Sequence, residues 1–372
     1  MTVPGPSESS HPPAHAGFST HTVRLAWILA VAYLLVIAYA SLQPFRGWRV
    51  PPAEVLYFLN APWARFIILQ DVAVNVGAYV PLGFLLSMGL GARFGPARGA
   101  FAATIAAGLL SLAMEAAQAF LPSRIASNLD LLANSVGALL GAMAAPLFAP
   151  SRILGGTLHA ARRRLFLDGM TADAGLVLAA LWLATQFHPT ARLFGTGSLR
   201  ATLDLPDLLI HTPGLALASE AAVVLFNLLG VGLMLSALMH AGTRALPVIA
   251  TVIGMALVIK IFTAAALVQA AAPLAWLTPG VLAGLAAGGA LLYGAARLPR
   301  RAQLAIAAAC IVVATVAINL APDNPYQSVP PRLLAGRPSH FFSFSGIVRA
   351  LSELWPLLAT GFLLYALLAR RQ

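Results

Sequence analysis

The sequence predicts an all-α, polytopic transmembrane helix bundle of about ten membrane-spanning helices. Three observations carry that expectation. Hydrophobic residues make up 59% of the 372-residue chain and charged residues only 9%, a balance foreign to soluble domains. Apolar runs of roughly twenty residues recur along the chain, each long enough to cross a bilayer as a helix. The basic residues fall singly or in small clusters within the polar stretches between those runs, the spacing that orients membrane helices.

The formal charge of +11 does not indicate a nucleic-acid partner, because no basic domain or arm collects it. Lys260 is the only lysine, and the single Cys310 excludes both an internal disulfide and a cysteine metal site. No histidine stands at ligand spacing to another on a helix; His211 and His240 are isolated. Gly195-Thr196-Gly197-Ser198 lacks the lysine of a phosphate-binding loop and is expected to be a turn. No cofactor is expected.

Residues 1–22, rich in Pro, Ser, His and Gly, are expected to form a disordered tail. The first span, at about 24–42, passes Ala38-Tyr39-Ala40, which resembles a signal-peptidase site. The run is long for a cleaved leader, so an uncleaved first helix is expected. Spans at about 70–90, 99–120 and 128–147 complete a four-helix module over 23–150. A second module over 170–372 holds six more, at about 172–188, 214–239, 246–269, 274–296, 302–321 and 349–369. The first of these six is short and carries Asp173 near its start. The fourth contains Pro279 and a ridge of Gly280, Gly284 and Gly288, suited to close helix packing.

Arginine placement sets the expected orientation. With the N-terminus cytoplasmic, the inner loops hold the Arg162–Arg164 run and the group Arg297, Arg300 and Arg301, and they outnumber the outer arginines. Both termini are therefore expected on the cytoplasmic side of a bacterial inner membrane. The outer side then receives the long connections 43–69, 189–213 and 322–348, where function is expected. His340-Phe341-Phe342-Ser343-Phe344 is expected in the membrane interface.

Polar residues collect at one depth of the first module. The first helix ends in Ser41-Leu42-Gln43-Pro44-Phe45, and the second begins with Asp71 and continues through Asn75 and Tyr79 on one face. Glu115 and Gln118 close the third helix, Pro122 ends it, and Arg124 lies in the tight turn. Ser127-Asn128-Leu129-Asp130 opens the fourth helix as a capping-box pattern. Asp130, Asn134, Gly137 and Gly141 share a face, polar at its outer end and smooth further in.

The stretches S-L-Q-P-F, D-V-A-V-N-V-G-A-Y-V-P-L-G and E-A-A-Q-A-F-L-P-S-R-I-A-S-N-L-D-L-L-A-N-S-V-G, in that order, resemble the VanZ-like family of bacterial membrane proteins over about residues 41–145. The namesake of that family is associated with reduced susceptibility to the glycopeptide teicoplanin, so the resemblance implies action at the cell envelope. It names no reaction and no cofactor, and a binding role is favoured over catalysis.

An ionised side chain at the centre of a membrane helix costs roughly 2.5–3.5 kcal/mol, so the cluster needs an account. One account is structural: Glu115 or Asp130 pairs with Arg124, Asp130 caps its helix, and Asn75 and Asn134 bond across an interface. The other is an outward-facing pocket for the polar head of a lipid-linked or cell-wall precursor. Arg124 would anchor an anion, and Glu115 or Asp130 would accept hydrogen bonds. The cluster holds more polar groups than a structural network needs, which favours function. The alternative function is a transporter or flippase for a small solute or lipid. In the second module, Glu220 and Lys260 lie at compatible depths for an ion pair, Asn227 follows Glu220 by two turns, and Arg349 and Glu353 are spaced for a local pair.

Overall fold

In the computed structural model, the described residues are 20–42, 45, 47–51, 54–63, 67, 69–188, 192–199, 212–265, 274–321 and 339–369. Among them the chain is all-α. Eleven α-helices follow one another: α1 (Thr20–Leu42), α2 (Leu69–Phe94), α3 (Pro96–Gln118), α4 (Asn128–Ala144), α5 (Ile153–Leu165), α6 (Met170–Thr185), α7 (Pro213–Ala237), α8 (Ala245–Thr263), α9 (Pro279–Ala295), α10 (Arg300–Leu320) and α11 (Ser339–Leu368). Eight are long and apolar enough to cross a membrane, and α6 and α9 are shorter apolar helices. Each of the spans expected from hydropathy is thus occupied by a helix.

Two elements differ from the expectation. α5 occupies what hydropathy reads as a basic inner loop. Its 13 residues are too few to cross a bilayer, so a search for long apolar runs passes over it. α11 begins about three turns earlier than its apolar core and takes the backbone of 340–344 into the helix. Hydropathy stops at Arg349, whereas helix hydrogen bonding does not.

The chain folds as two compact units, Met1–Ala38 with Pro44–Ala161, and Tyr39–Gln43 with Arg162–Gln372. In the first, α2 packs along α4, and α3 lies against both. The α2–α4 contact is made backbone to backbone. A Cβ built on Gly137 would stand 2.1 Å from the Val76 carbonyl oxygen, and one on Gly141 would stand 1.9 Å from that of Val80. Gly83 of α2 meets the Ala138 carbonyl in the same way, and the Ser87 hydroxyl donates to the Ala142 carbonyl (3.0 Å). The smooth face of the fourth helix therefore seats α2. On α3 the small residues Ala103, Ala107 and Ser111 are buried while Phe101, Ile105 and Leu109 are exposed. Small-in, large-out is the arrangement expected where hydrocarbon, rather than water, meets the outer face.

The second unit is built on bulk. Trp182, Phe194, Val224, Met234, Leu235, Leu238, Ile311 and Trp355 form a continuous apolar core. α7 packs against α9 and α10, and α11 against α10 and α6. The glycine ridge of α9 faces α7: Gly280 approaches the Leu217 carbonyl and Gly284 the Ala221 carbonyl. Trp355 of α11 donates its indole N–H to the Leu178 carbonyl of α6 (2.8 Å). Asp173, the acid that weakens the apolar run of α6, is held by Arg162 at 2.6 Å.

The glycine-rich stretch 195–198 is more than a surface turn. Leu193, Phe194 and Thr196 are buried, and the backbone is pinned by side chains. Gln186 accepts from the Phe194 N–H (3.2 Å), and Asn319 accepts from the Leu199 N–H (2.8 Å) and donates to the Gly197 carbonyl (2.6 Å). Pro356 in α11 has no N–H, which frees the Ser352 carbonyl one turn earlier. The Gly197 N–H fills that position at 2.8 Å. Gly197 has φ +79, so a glycine belongs there. Irregular backbone of this kind is tolerated at membrane depth only when protein groups complete its hydrogen bonds.

Candidate functional site

The polar residues of the first unit meet at the end of the α2–α3–α4 packing, where α3 turns into α4. α3 ends at Gln118 and the chain crosses to α4 through a turn closed by Leu121 N–H to Gln118 C=O (2.9 Å) and Arg124 N–H to Leu121 C=O (3.0 Å). The segment before α2 folds back over this turn. The Arg49 N–H donates to the Phe120 carbonyl (2.9 Å), and the Asn128 amide donates to the Ala61 carbonyl (2.9 Å).

The capping box at the start of α4 forms only in half. Ser127 accepts from the Asp130 N–H (3.4 Å), as the sequence pattern expects. The return bond, by which the acid would take the N–H of the capping serine, belongs to Glu115 of α3 instead: its Oε2 accepts the Ser127 N–H at 2.8 Å. Glu115 thereby staples the end of α3 to the start of α4. It is 3% exposed, and the charge it meets is Arg124, which is half-buried. Burial pushes the Arg124 guanidinium below its ordinary pKa, and the Glu115 carboxylate beside it pulls it back up.

One turn deeper, Asn134 donates its amide to the Ser111 hydroxyl (2.9 Å). Tyr79 of α2 faces the same Ser111 and the Glu115 carboxylate. Asn75 lies one turn before Tyr79 on the same face, next to Val76, whose carbonyl meets Gly137 one turn beyond Asn134. Tyr79 and Asn134 therefore meet at Ser111, and Asn75 stands one turn from Tyr79 on the same face of α2. Asn75 Nδ2, Tyr79 Oη and Asn134 Oδ1 are buried and have no hydrogen-bond partner among the described residues. An unpaired polar atom buried in hydrocarbon surroundings costs several kcal/mol (order of magnitude), so such atoms call for a ligand or a water.

The remaining residues singled out from the sequence are placed as follows. Asp71 stands in the first turn of α2, where the helix dipole favours an acid. Gln118 and Asp130 are buried at the ends of α3 and α4. Gln43 lies outside the described residues. Ser111, wholly buried, was missed by the sequence; its signal was its position one turn before Glu115 on the same helix face. Tyr33 of α1 was also missed, and its hydroxyl donates to the Ala78 carbonyl (2.8 Å).

In the second unit, Glu220 is 1% exposed and accepts from the hydroxyl of Thr278, the N-cap of α9. Lys260, 3% exposed, donates to the His188 carbonyl (3.1 Å). Asn227 donates to the Val223 carbonyl (3.0 Å). Arg349 and Glu353 form the local pair expected from their spacing (2.8 Å). His188, just past the end of α6, is pushed down to about 4 by burial and by the charges of Lys260 and Arg349. Among the described residues no group of histidines, cysteines and acids is placed to hold a metal ion.

Residues 13–149 match the VanZ/LLP1 family. This part of the chain is similar to that family and is called the VanZ-like module. No curated protein and no solved structure matches the chain. The stapling carboxylate, the arginine turn and the unmet polar groups all fall within the VanZ-like module.

Proposed function

We propose that this VanZ-like protein acts at the periplasm-facing side of a bacterial inner membrane, where its VanZ-like module holds the polar group of a cell-envelope component. The component would be lipid-linked or related to the targets of glycopeptides. The observation that carries this reading is the set of three buried, unpartnered polar atoms on Asn75, Tyr79 and Asn134 beside the Glu115–Arg124 pair. A network serving only to join helices would be expected to satisfy its own members. The distribution of arginines, denser in the short loops on one side, supports cytoplasmic termini, which puts the α3–α4 turn outside.

The test compares cells carrying wild-type protein with cells carrying Glu115→Gln or Arg124→Ala at matched membrane levels. Teicoplanin susceptibility, together with the lipid-linked precursor pool, is the readout. Both variants are expected to accumulate and to lose the effect on susceptibility. Variants that keep full effect, or that fail to accumulate at all, would return the cluster to a purely structural role. Lys260→Ala and Glu220→Gln, in the second unit, are expected to leave the effect intact.

A further inference from the structure

We infer that the strap before α2, residues 47–51 and 54–63, is a lipid-docking surface that seats its exposed aromatic and aliphatic side chains in the phospholipid headgroup layer. Such a seat would serve the module whether or not its polar cluster holds a ligand.

The strap is fastened across the turn between α3 and α4. Gly47 lies against the Pro122 ring, the Arg49 N–H donates to the Phe120 carbonyl (2.9 Å), and Asn128 holds the Ala61 carbonyl (2.9 Å). Between these ties the chain makes a compact turn. The N–H groups of Tyr57, Leu59, Asn60 and Ala61 donate to the carbonyls of Glu54, Leu56, Tyr57 and Phe58, and the Phe58 ring is wholly buried. Backbone that meets its own hydrogen bonds loses less on leaving water.

The rest of the strap is turned outward. Trp48, Val50, Leu56, Tyr57, Leu59 and Trp63 are exposed, Val50 to 86% and Trp63 to 60%. So many large apolar side chains on one short segment mark a contact surface. Tryptophan and tyrosine are the residues enriched where a bilayer meets water. The Trp48 indole N–H is taken by the Phe45 carbonyl (3.1 Å), so the ring can enter the interface without stranding a donor.

Two further observations say what covers this surface. The stretch 43–69 carries Arg46, Arg49 and Arg65 against a single acid before α2, Glu54, a balance complementary to lipid phosphates. The exposed apolar surface also continues onto a membrane helix. Asn128, which ties down Ala61, lies between the exposed Ile125 and Leu132, and the exposed Leu139 follows one heptad after Leu132 on α4. α4 is long and apolar enough to cross a membrane, so the strap extends its lipid-facing side to the headgroup end. The Glu115–Arg124 turn that the strap crosses then stands at headgroup depth instead of in open water.

The experiment uses the full-length protein with Cys310→Ala and one added cysteine, Val50→Cys or Asn60→Cys, labelled with nitrobenzoxadiazole. The protein is placed in vesicles of phosphatidylethanolamine and phosphatidylglycerol. Quenchers are phospholipids with a nitroxide on the headgroup or near the top of the acyl chain, and iodide on both sides of the vesicles. Both nitroxide lipids are expected to quench the dye, and iodide is expected to reach it far less than it reaches free labelled cysteine. Full iodide access without lipid quenching would put the strap in water. Shielding from lipid and iodide alike would bury it against protein, in this chain or a second copy. Either result overturns the lipid seat. Trp48→Ser combined with Trp63→Ser, both at exposed positions, is expected to cost the Asn60→Cys protein its lipid quenching and to open it to iodide. Unchanged lipid quenching in that variant overturns the aromatic anchors. The labelled parent decides the lipid seat by itself, whatever the level at which the double variant accumulates.

Discussion

The two units of this chain solve helix packing in opposite ways. The VanZ-like module brings backbones together over glycine and alanine and keeps polar side chains between its helices. The second unit fills its interior with tryptophan, phenylalanine, leucine and methionine, and uses its buried polar groups mainly to tie down irregular backbone. In a membrane there is little hydrophobic drive between helices, so close contact and hydrogen bonds do the joining. The module with backbone contact holds α2 and α4 in a fixed register, with the Val76 carbonyl against Gly137 and that of Val80 against Gly141. The unit with a bulky core also holds buried polar atoms without a hydrogen-bond partner among the described residues, on Trp182, Asn227, Trp276 and Gln303, but they stand outside the VanZ-like sequence that holds Glu115 and Arg124. The difference is one of packing, and the binding proposed above is assigned to the first unit on the strength of its polar cluster.

The comparison breaks most sharply at Gly141. Gly141→Leu would drive a side chain into the Val80 carbonyl, already 1.9 Å from an added Cβ, and part α2 from α4. The expected outcome is a module that does not accumulate, checked by membrane fractionation; normal accumulation would disprove the backbone contact. In the second unit, Trp182→Ala removes a fully buried ring that stacks on Phe194 at 5.2 Å. A loss of about 3–5 kcal/mol is expected, seen in detergent unfolding, with teicoplanin susceptibility unaltered wherever the protein still folds.

A third effect belongs to pH. His188 has its folded pKa pushed down to about 4 from an ordinary 6.5, so the unfolded chain takes up the proton first. Stability is therefore full above about pH 6.5 and falls as pH drops toward 4. His188→Gln is expected to flatten that slope in unfolding midpoints measured from pH 7 to 4. The smallest effects come from glycines with open space around them. Gly77→Ala in α2 and Gly289→Ala in α9 meet nothing within 4 Å, so each is expected to stabilise by about 0.5–1 kcal/mol. Destabilisation at Gly77 but not Gly289 would mean that the first unit needs flexibility as well as close contact.

Much of this arrangement is legible in the order of the amino acids alone. The α2-facing glycines on α4 and the α7-facing ridge on α9 are visible as periodic faces, and the polar residues at the ends of α2, α3 and α4 stand out against apolar neighbours. The inward face of α3 is not legible, because small and large apolar residues are equally hydrophobic to a window average. The buried 192–199 loop is not legible either: the residues that complete it, Gln186, Asn319 and Ser352, come from three separate stretches of the chain.

By itself the sequence determined where the helices run, that the chain is a membrane bundle, and that residues of VanZ-like pattern gather at one depth. These follow from hydropathy and period, which are properties of a single segment. Only the tertiary structure decided which polar groups are satisfied. Glu115, and not Asp130, takes the Ser127 N–H, and Asn75, Tyr79 and Asn134 are left with atoms to offer. Hydrogen-bond partnership joins residues from separate helices, and it is fixed by the register in which those helices touch.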